Sequence, residues 1–273
     1  MTRDEQIAAV ERDRKKREAG LLVLMLALAE RARLNVVRSI RVGASWASVL
    51  RGVLLGDDRI DPPGGVPMLA RVMADSHVSG YARVGRLLDV ALPAALVVDS
   101  LAEQYKPAAT STLARIADGL TAAVTAELAN VAEADRISAD AKAVGDAFDK
   151  YGWTPEHQAG AVAESSAAVL WAYAAGMHAG YKAPPAVSVL TGLIFWNPMD
   201  ESTTPICRAR HGVTLPMDHP WWFRNWSPLH WGCRSLQLPT TRQVVYTVNP
   251  PNYPPPDPGF GNYAGMIVGG PWS

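Results

Sequence analysis

The sequence predicts an α+β protein, in which a mainly helical N-terminal region precedes a small, irregular, β-containing C-terminal module that a zinc ion could stabilise. Three observations support this prediction. Apolar residues recur at helical spacing over about the first 180 residues, whereas Pro, Gly and Trp dominate from Asn197 onward. Five of the nine tryptophans lie between Trp196 and Trp231. The two cysteines of the chain, Cys207 and Cys233, fall in the same part.

The N-terminal region is predicted to contain several helices. Residues 1 to about 55 carry apolar residues at intervals of three, four and six, which fit one face of a helix better than the alternation of a strand. The segment Asp61–Gly65, DPPGG, predicts a break. Pro93 and Pro107 are then expected to interrupt the helical pattern. One apolar stripe at helical spacing comprises Leu113, Ile116, Leu120, Val124 and Leu128.

The best-marked helix of the sequence follows Thr154. This threonine is the predicted N-cap, Pro155 is the first helical residue and the acidic Glu156 lies in the first turn. The helix is expected to run to about Tyr181. The β-branched and aromatic run Val187–Trp196 then predicts a strand.

These patterns divide the chain into three predicted regions: a helical region 1–150, a core module 151–242 and an extended tail 243–273. The tail contains seven prolines and one charged residue, Asp257. Such a composition is typical of polyproline II or of an extended segment lying on another surface.

Overall composition excludes several classes of protein. The chain has 26 basic and 26 acidic residues, so its net charge favours neither a nucleic-acid binder nor a trap for acidic ligands. Two cysteines in 273 residues exclude a disulfide-rich scaffold. The apolar run Leu21–Ala29 has nine residues, whereas a spanning helix needs about 20, so we expect no membrane partner.

Cys207, His230 and Cys233 form the candidate metal site. Cysteine thiolates and histidine nitrogens are the donors that tetrahedral zinc sites use. His230 and Cys233 are three residues apart, and Cys207 lies 26 residues before Cys233. One structural zinc ion is therefore the cofactor hypothesis.

A closed structural zinc site needs a fourth ligand, which the sequence leaves open. Asp200 is the first candidate and His211 is the alternative, while Asp218 and His219 are also available. The tryptophans of the module would then form a shell that excludes water from the metal: Trp221, Trp222, Trp226 and Trp231.

Three other interpretations of the same residues stay open. Free cysteines are among the most buried residue types, so both could simply pack in a core. A Cys207–Cys233 disulfide could equally stabilise the module. A catalytic trio of Cys207, His230 and Asp200 can be drawn, but no nucleophile elbow, phosphate loop or HExxH motif accompanies it.

Two segments resemble the Mu F-like head morphogenesis family of tailed phages, also called minor head or minor capsid proteins. They are WNPMDESTTPICRARHG, from Trp196, and SPLHWGCRS, which ends at Ser235. The family pattern runs from a strand with an aromatic residue through Asp, Thr-x-x-Cys, Gly and Pro-x-x-His-x-x-Cys-Arg. The matching positions are Trp196, Asp200, Thr204, Cys207, Gly212, Pro228, His230, Cys233 and Arg234, with Pro228 one place nearer the histidine than in many members.

The resemblance covers about residues 150–265. The later segment DPGFGNYAG, with Phe260 and Gly265, is similar to the closing element of the family's domain. Some members carry a second cysteine at the place of Arg210, and many end the motif Cys-Arg-Cys, where this chain has Ser235. Both departures remove potential metal ligands.

The resemblance implies a structural, non-catalytic role in phage head assembly. Such proteins associate with the portal protein during procapsid assembly, and contacts with the major capsid or scaffolding protein and weak contact with DNA are further implied partners. The implied location is the head interior or portal vertex of the virion, and the host cytoplasm during assembly. Region 1–150 would dock on the partner, through helix-in-groove or bundle contacts.

The competing hypothesis is a metal-dependent nuclease or toxin-like enzyme built around Cys207, His230 and Cys233. Some bacterial relatives of the family carry a toxin after this domain. Only 31 residues follow Arg242, whereas a typical domain needs about 100 or more. The further His and Asn partners of an HNH nuclease are missing as well. We therefore expect no enzyme activity.

Overall fold

Four long helices account for most of the described chain. A computed structural model describes residues 3–40, 51–52, 54–55, 64–93, 97–129, 150, 154–250, 253–258 and 260–261. The helices are α1, Arg3–Ile40; α2, Gly65–Leu88; α3, Val98–Ala129; and α4, Pro155–Lys182. Together with a small sheet near the C terminus, they confirm the predicted α+β class.

The predicted helix boundaries are confirmed where caps mark them. The Thr154 hydroxyl accepts a hydrogen bond of 3.3 Å from the backbone N–H of His157, so Thr154 caps α4 as expected. Helix α2 begins at Gly65, and Pro93 lies between α2 and α3. The first part of the predicted break, Asp61–Pro63, and the end of the first predicted helix, residues 41–50, lie outside the described residues.

The predicted interruption at Pro107 is wrong, because this proline lies inside α3. Proline within a helix removes one backbone hydrogen bond and crowds the preceding turn, at a cost of about 3 kcal/mol. Buried neighbours on both sides, Tyr105, Ala108 and Ala109, fix this part of α3 against the core. Tertiary packing of the apolar face therefore outweighs the local preference of the proline.

The predicted strand Val187–Trp196 forms only in its second half. Pro184–Val187 is one helical turn, α5, and strand β1 spans Gly192–Trp196. The reason is local: Ala183 is extended, and Pro184 and Pro185 occupy the first helical positions, where a missing N–H costs nothing. The turn ends in hydrogen bonds from Val189 and Leu190 to the carbonyl of Ala186, so β1 starts later than its composition suggests.

Strand β1 is the centre of a three-stranded antiparallel sheet of order β2-β1-β3. Strand β2 is Thr214–Leu215 and β3 is Leu236–Thr240. Leu193 pairs with Leu215 on one side of β1 and with Pro239 on the other. Leu193 and Phe195 are fully buried, so the alternating apolar side chains of β1 face the core.

The chain divides into two compact units, and all four long helices contribute residues to both. The sheet unit contains Met1–Arg14, Ala70–Ala108 and Ala167–Ser273. The helical unit contains Lys15–Leu69 and Ala109–Ser166. The predicted division at residues 150 and 242 stays a prediction.

The helical unit buries the described part of the apolar stripe of α3. Leu113 is fully buried, and Ile116 and Leu120 are 4% exposed. The side chains of Val124 and Leu128, which complete the predicted stripe, lie outside the described residues. Arg115 and Glu164 form an ion pair of 3.6 Å within this unit.

Helices α2 and α4 approach each other closely in the sheet unit. A Cβ placed on Gly176 would fall on the carbonyl oxygen of His77, and one placed on Gly80 would fall on the carbonyl oxygen of Tyr173. Ser76 adds a hydrogen bond of 3.0 Å from its hydroxyl to the carbonyl of Val169. Only glycine at these two positions permits this distance between the helix backbones.

The described part of the tail lies on its own sheet unit. The backbone N–H of Thr247 donates to the carbonyl of Thr214, at 2.8 Å. Further along, the backbone N–H of Asp257 donates to the carbonyl of Leu229, at 3.0 Å. Phe260 then packs edge-on against Trp231 with ring centroids 5.1 Å apart. No helix among the described residues is long and apolar enough to cross a membrane.

Candidate metal centre

Two short elements carry the candidate metal ligands. Helix α6, Pro205–Arg210, holds Cys207 in its first turn, and Thr204 caps this helix by accepting a hydrogen bond of 3.5 Å from the N–H of Cys207. His230 and Cys233 sit at the two ends of a β-turn closed by a bond of 3.2 Å from the N–H of Cys233 to the carbonyl of His230. Gly232 has φ 67° in this turn, a left-handed conformation that glycine adopts without a Cβ clash.

The two elements bring Cys207, His230 and Cys233 together. The Cys207 Sγ lies 3.1 Å from the His230 Nε2 and 3.6 Å from the Cys233 Sγ. All three ligand atoms lie within 4.8 Å of one another. The side chains are buried, with exposed fractions of 2% for each cysteine and 8% for the histidine. Both cysteines are free thiols.

The hydrogen bonds of His230 orient its ring for ligation. The Nδ1 lies 2.7 Å from the carbonyl oxygen of Trp231. A carbonyl only accepts, so Nδ1 carries the proton and donates it. The Nε2 lone pair then points at the Cys207 Sγ and at the Thr204 Oγ1, which is 2.9 Å away. Metal-ligating histidines are held in the same way, by a donated hydrogen bond from the second ring nitrogen.

Electrostatics favours one negative charge shared within the pair of thiols. Burial alone would raise the pKa of Cys233, but its interactions with Cys207 and His230 hold this pKa well below its ordinary value. The hydrogen bond with Cys233, and then burial, raise the pKa of Cys207. Burial opposes the charged form of His230, yet the neighbouring Cys233 raises the pKa of this imidazole. A thiolate beside an imidazole is the form in which these side chains bind metal.

Two buried polar side chains support the group from outside. The Asn197 Nδ2 donates a hydrogen bond of 2.7 Å to the carbonyl of Cys207. Arg210 is 1% exposed and donates to Asn225 Oδ1 at 2.7 Å and to the carbonyl of Pro254 at 2.6 Å. Burial lowers the pKa of Arg210, whereas Cys207 raises it, so this guanidinium is a positive charge within electrostatic reach of the thiolates.

The predicted fourth ligand, Asp200, lies in an ion pair. Arg234 donates to both carboxylate oxygens of Asp200, with a distance of 2.8 Å for Nη1 to Oδ2. The hydrogen bond from Arg234 is the main reason that the pKa of Asp200 is lowered to about 2. The carboxylate is not part of the group of three donors. Its role as a ligand stays a prediction.

The other predicted candidates for the fourth ligand, His211, His219 and Asp218, are not part of the group of three donors. The exposed His211 accepts a hydrogen bond of 3.3 Å at Nδ1 from the N–H of Asn197. His219 caps the 3₁₀-helix Pro220–Arg224 by accepting at Nδ1 from the N–H of Trp221, at 3.1 Å. Asp218 is exposed and lines a separate cavity of about 470 Å³ together with His219.

The predicted shell of tryptophans around the metal stays a prediction, although two of the four tryptophans are fully buried. Trp222 and Trp226 are 2% and 1% exposed, and their rings pack edge-on at 5.8 Å. Trp221 packs against Trp222 at 4.9 Å and is half-buried. Trp231 contributes its carbonyl to His230 and its ring to Phe260. Gly265, predicted to belong to the same closing element, lies outside the described residues.

These residues fit a metal ion. Two sulfurs and one imidazole nitrogen converge from buried positions, and no other group of three such donors occurs among the described parts of the chain. The donor set suits soft or borderline cations rather than Mg²⁺ or Ca²⁺, which prefer oxygen ligands. The group could therefore hold a metal ion.

Sequence patterns assigned no supporting role to three residues around the site. Thr204 entered only as a position of the resemblance, although threonine followed by proline is a helix-start signal. Ser235 was visible only as a departure from the resemblance. Asn197 carried no signal, since its importance depends on the main-chain position of Cys207.

Comparison with protein-family models, curated proteins and solved structures found no match to this chain.

Proposed function

We propose that this chain is a structural minor head protein of a tailed bacteriophage, similar to the Mu F-like head morphogenesis family, which acts in procapsid assembly by associating with the portal protein. The observation that carries the proposal is the resemblance of the spaced motif at Asp200, Thr204, Cys207, His230 and Cys233. Further support comes from the roles of these residues: an ion pair, a helix cap and three converging donors. Contacts with the major capsid or scaffolding protein, and weak contact with DNA, belong to the same proposal.

The metal of the proposal is one structural zinc ion. Zinc accepts thiolate and imidazole donors at once, has no redox chemistry of its own and stabilises small modules that lack a large core. The irregular segment 197–235 has few regular hydrogen bonds, so a cation bound at Cys207, His230 and Cys233 would join α6 to the 230–233 turn. Burial of all three donors supports a structural rather than a catalytic ion.

The enzyme alternative is less well supported by the geometry. A nuclease or toxin-like enzyme needs a substrate cavity beside its metal. The cavity next to Cys207 and His230 has a volume of about 10 Å³, which is the size of one water molecule. Incubation of the purified protein with plasmid DNA and several divalent metals tests this alternative, and cleavage that Cys233→Ser abolishes would replace our proposal.

The partner surface is proposed to include α1. Leu22, Val23 and Leu26 are 43%, 69% and 42% exposed, although they lie on the same helix as the buried Leu21 and Leu24. Exposed apolar residues on a helix, beside polar ones, are typical of surfaces that dock into a groove of another protein.

Co-expression of the full chain with the portal protein of the same genome tests the proposed role. We expect a complex that survives size-exclusion chromatography, and we expect Leu22→Ser with Leu26→Ser to weaken it at least tenfold. The matched control replaces two exposed alanines of the same helix, Ala19→Ser with Ala27→Ser. If the wild-type chain forms no complex with portal, major capsid or scaffolding protein, the assembly role is wrong.

A further inference from the structure

The cavity beside the three metal-binding side chains contains two buried oxygen atoms that make no hydrogen bond. The cavity has a volume of about 10 Å³ and is lined by Asn197, Thr204, Cys207, His230 and Ser235, among others. Asn197 and Ser235 are each 1% exposed. Within the part of the chain that the structure describes, the Asn197 Oδ1 and the Ser235 Oγ have no hydrogen-bond partner.

An isolated hydroxyl in this position is costly. A buried polar atom without a partner costs about 1–3 kcal/mol, so native proteins almost always satisfy such atoms with protein, water or an ion. Ser235 lines the same cavity as Cys207 and His230, and the space in this cavity accommodates a single atom or ion.

Two other side chains with oxygen donors near the site, Asp200 and Thr204, are already engaged. Both carboxylate oxygens of Asp200 bind Arg234. The Thr204 Oγ1 accepts from the N–H of Cys207 as the cap of α6 and is bonded to His230. Recruiting Asp200 would break its ion pair with Arg234, and recruiting Thr204 would compete with its role as the cap of α6, whereas recruiting Ser235 would satisfy an unpaired atom.

We infer that the Ser235 hydroxyl is the fourth donor to the metal held by Cys207, His230 and Cys233. This inference rests on the metal centre that forms part of the proposed function. Two thiolates, one neutral imidazole and one neutral hydroxyl complete a four-coordinate site for a divalent cation without net charge. The Asn197 Oδ1 lines the same cavity and is an available acceptor for the hydroxyl proton of Ser235.

The test uses cobalt(II) as a spectroscopic substitute for zinc in the full-length protein. Ser235→Cys would add a third thiolate, so the sulfur-to-cobalt charge-transfer absorption should rise to the level of three thiolates. Ser235→Ala should keep two thiolates and weaken the cation about tenfold or more in competition with a chelator, since loss of an interaction of 1.4 kcal/mol is tenfold in affinity. The change in side-chain volume is small in both variants.

A matched variant, Asp200→Asn, removes the competing carboxylate while keeping the size of the side chain. We expect Asp200→Asn to leave the affinity and spectrum of cobalt unchanged. The inference is overturned if Ser235→Ala binds as tightly as wild type and Ser235→Cys adds no charge-transfer absorption, or if the tenfold loss appears in Asp200→Asn instead.

These outcomes also distinguish a failure of the Ser235 assignment from a failure of the proposed metal centre. If the wild-type chain binds neither cobalt nor zinc at one per chain, the metal centre of the proposed function fails and the fourth donor fails with it. If the wild type binds one cation and the Ser235 variants do not differ from it, only the assignment of Ser235 is wrong.

Discussion

Two parts of the sheet unit are stabilised in different ways. One is the contact between α2 and α4, and the other is the group of Cys207, His230 and Cys233. At the helix contact two backbones touch through Gly80 and Gly176, so stability comes from close packing of many atoms. At the candidate metal centre three side-chain donor atoms from two short elements lie within 4.8 Å of one another. The first arrangement depends on the absence of a side chain, and the second on the chemistry of a few donor atoms.

The largest effect should come from removing the metal that we propose Cys207, His230 and Cys233 bind. A ligand present at about 1,000 times its dissociation constant stabilises the folded state by about 4 kcal/mol, so a chelator should lower the unfolding temperature markedly. The fluorescence of Trp222 and Trp226 should shift, whereas far-ultraviolet circular dichroism should keep its helical signal. Thermal melts with and without chelator measure both effects. Cys233→Ser should respond to chelator no further, and an equal response in that variant would contradict the metal centre.

A substitution at the helix contact should be nearly as damaging. Gly176→Ala places a Cβ on the carbonyl of His77, and overpacking of this kind against backbone costs about 3 kcal/mol. The control is Gly119→Ala in α3, where a Cβ meets nothing within 4 Å. That variant should gain about 0.5–1 kcal/mol through helix propensity. Urea unfolding of the two variants measures the difference, and equal stabilities would refute the close approach.

Acid should weaken the helix contact before it affects most carboxylates. His77 is 3% exposed and its Nδ1 lies 2.7 Å from the hydroxyl of Tyr105. Burial lowers the pKa of His77 from 6.5 to about 4, so the unfolded state binds a proton first as the pH falls. The contribution of neutral His77 to the free energy of unfolding is fully present above pH 6.5. It decreases below that pH, with a loss of roughly 2 kcal/mol by pH 5.

Unfolding free energies at pH 7 and pH 5 measure this effect, with His77→Asn as the comparison. Asparagine retains a polar group for Tyr105 but does not titrate. The variant should therefore lose less stability than wild type over this interval. An equal loss in both proteins would show that His77 is not the responsible group.

The smallest expected difference compares two threonine caps. Thr154→Ala removes a cap from α4 and should cost about 1 kcal/mol without affecting metal binding. Thr204→Ala removes the cap of α6 and also a hydroxyl 2.9 Å from the His230 Nε2. It should therefore lower both stability and metal affinity. Isothermal titration with zinc distinguishes the two, and identical affinities would mean that Thr204 does not position the ligands.

Sequence reasoning predicted the helices well where caps and periodicity agree, as at Thr154 and along the stripe beginning at Leu113. It was wrong at Pro107, because burial on both sides of this proline outweighs its local cost. It placed the start of β1 too early, because the β-branched composition of this segment does not show that Pro184 and Pro185 begin a helical turn.

The sequence by itself determined the fold class, the main helices and the identity of the three converging donors, because these depend on periodicity, caps and donor chemistry. Tertiary structure alone decided that Asp200 pairs with Arg234 and that Ser235 lies buried beside Cys207. It also decided that Gly80 and Gly176 each lie against the backbone of the facing helix. Such contacts join residues far apart in the chain, and their distances follow from how whole elements pack.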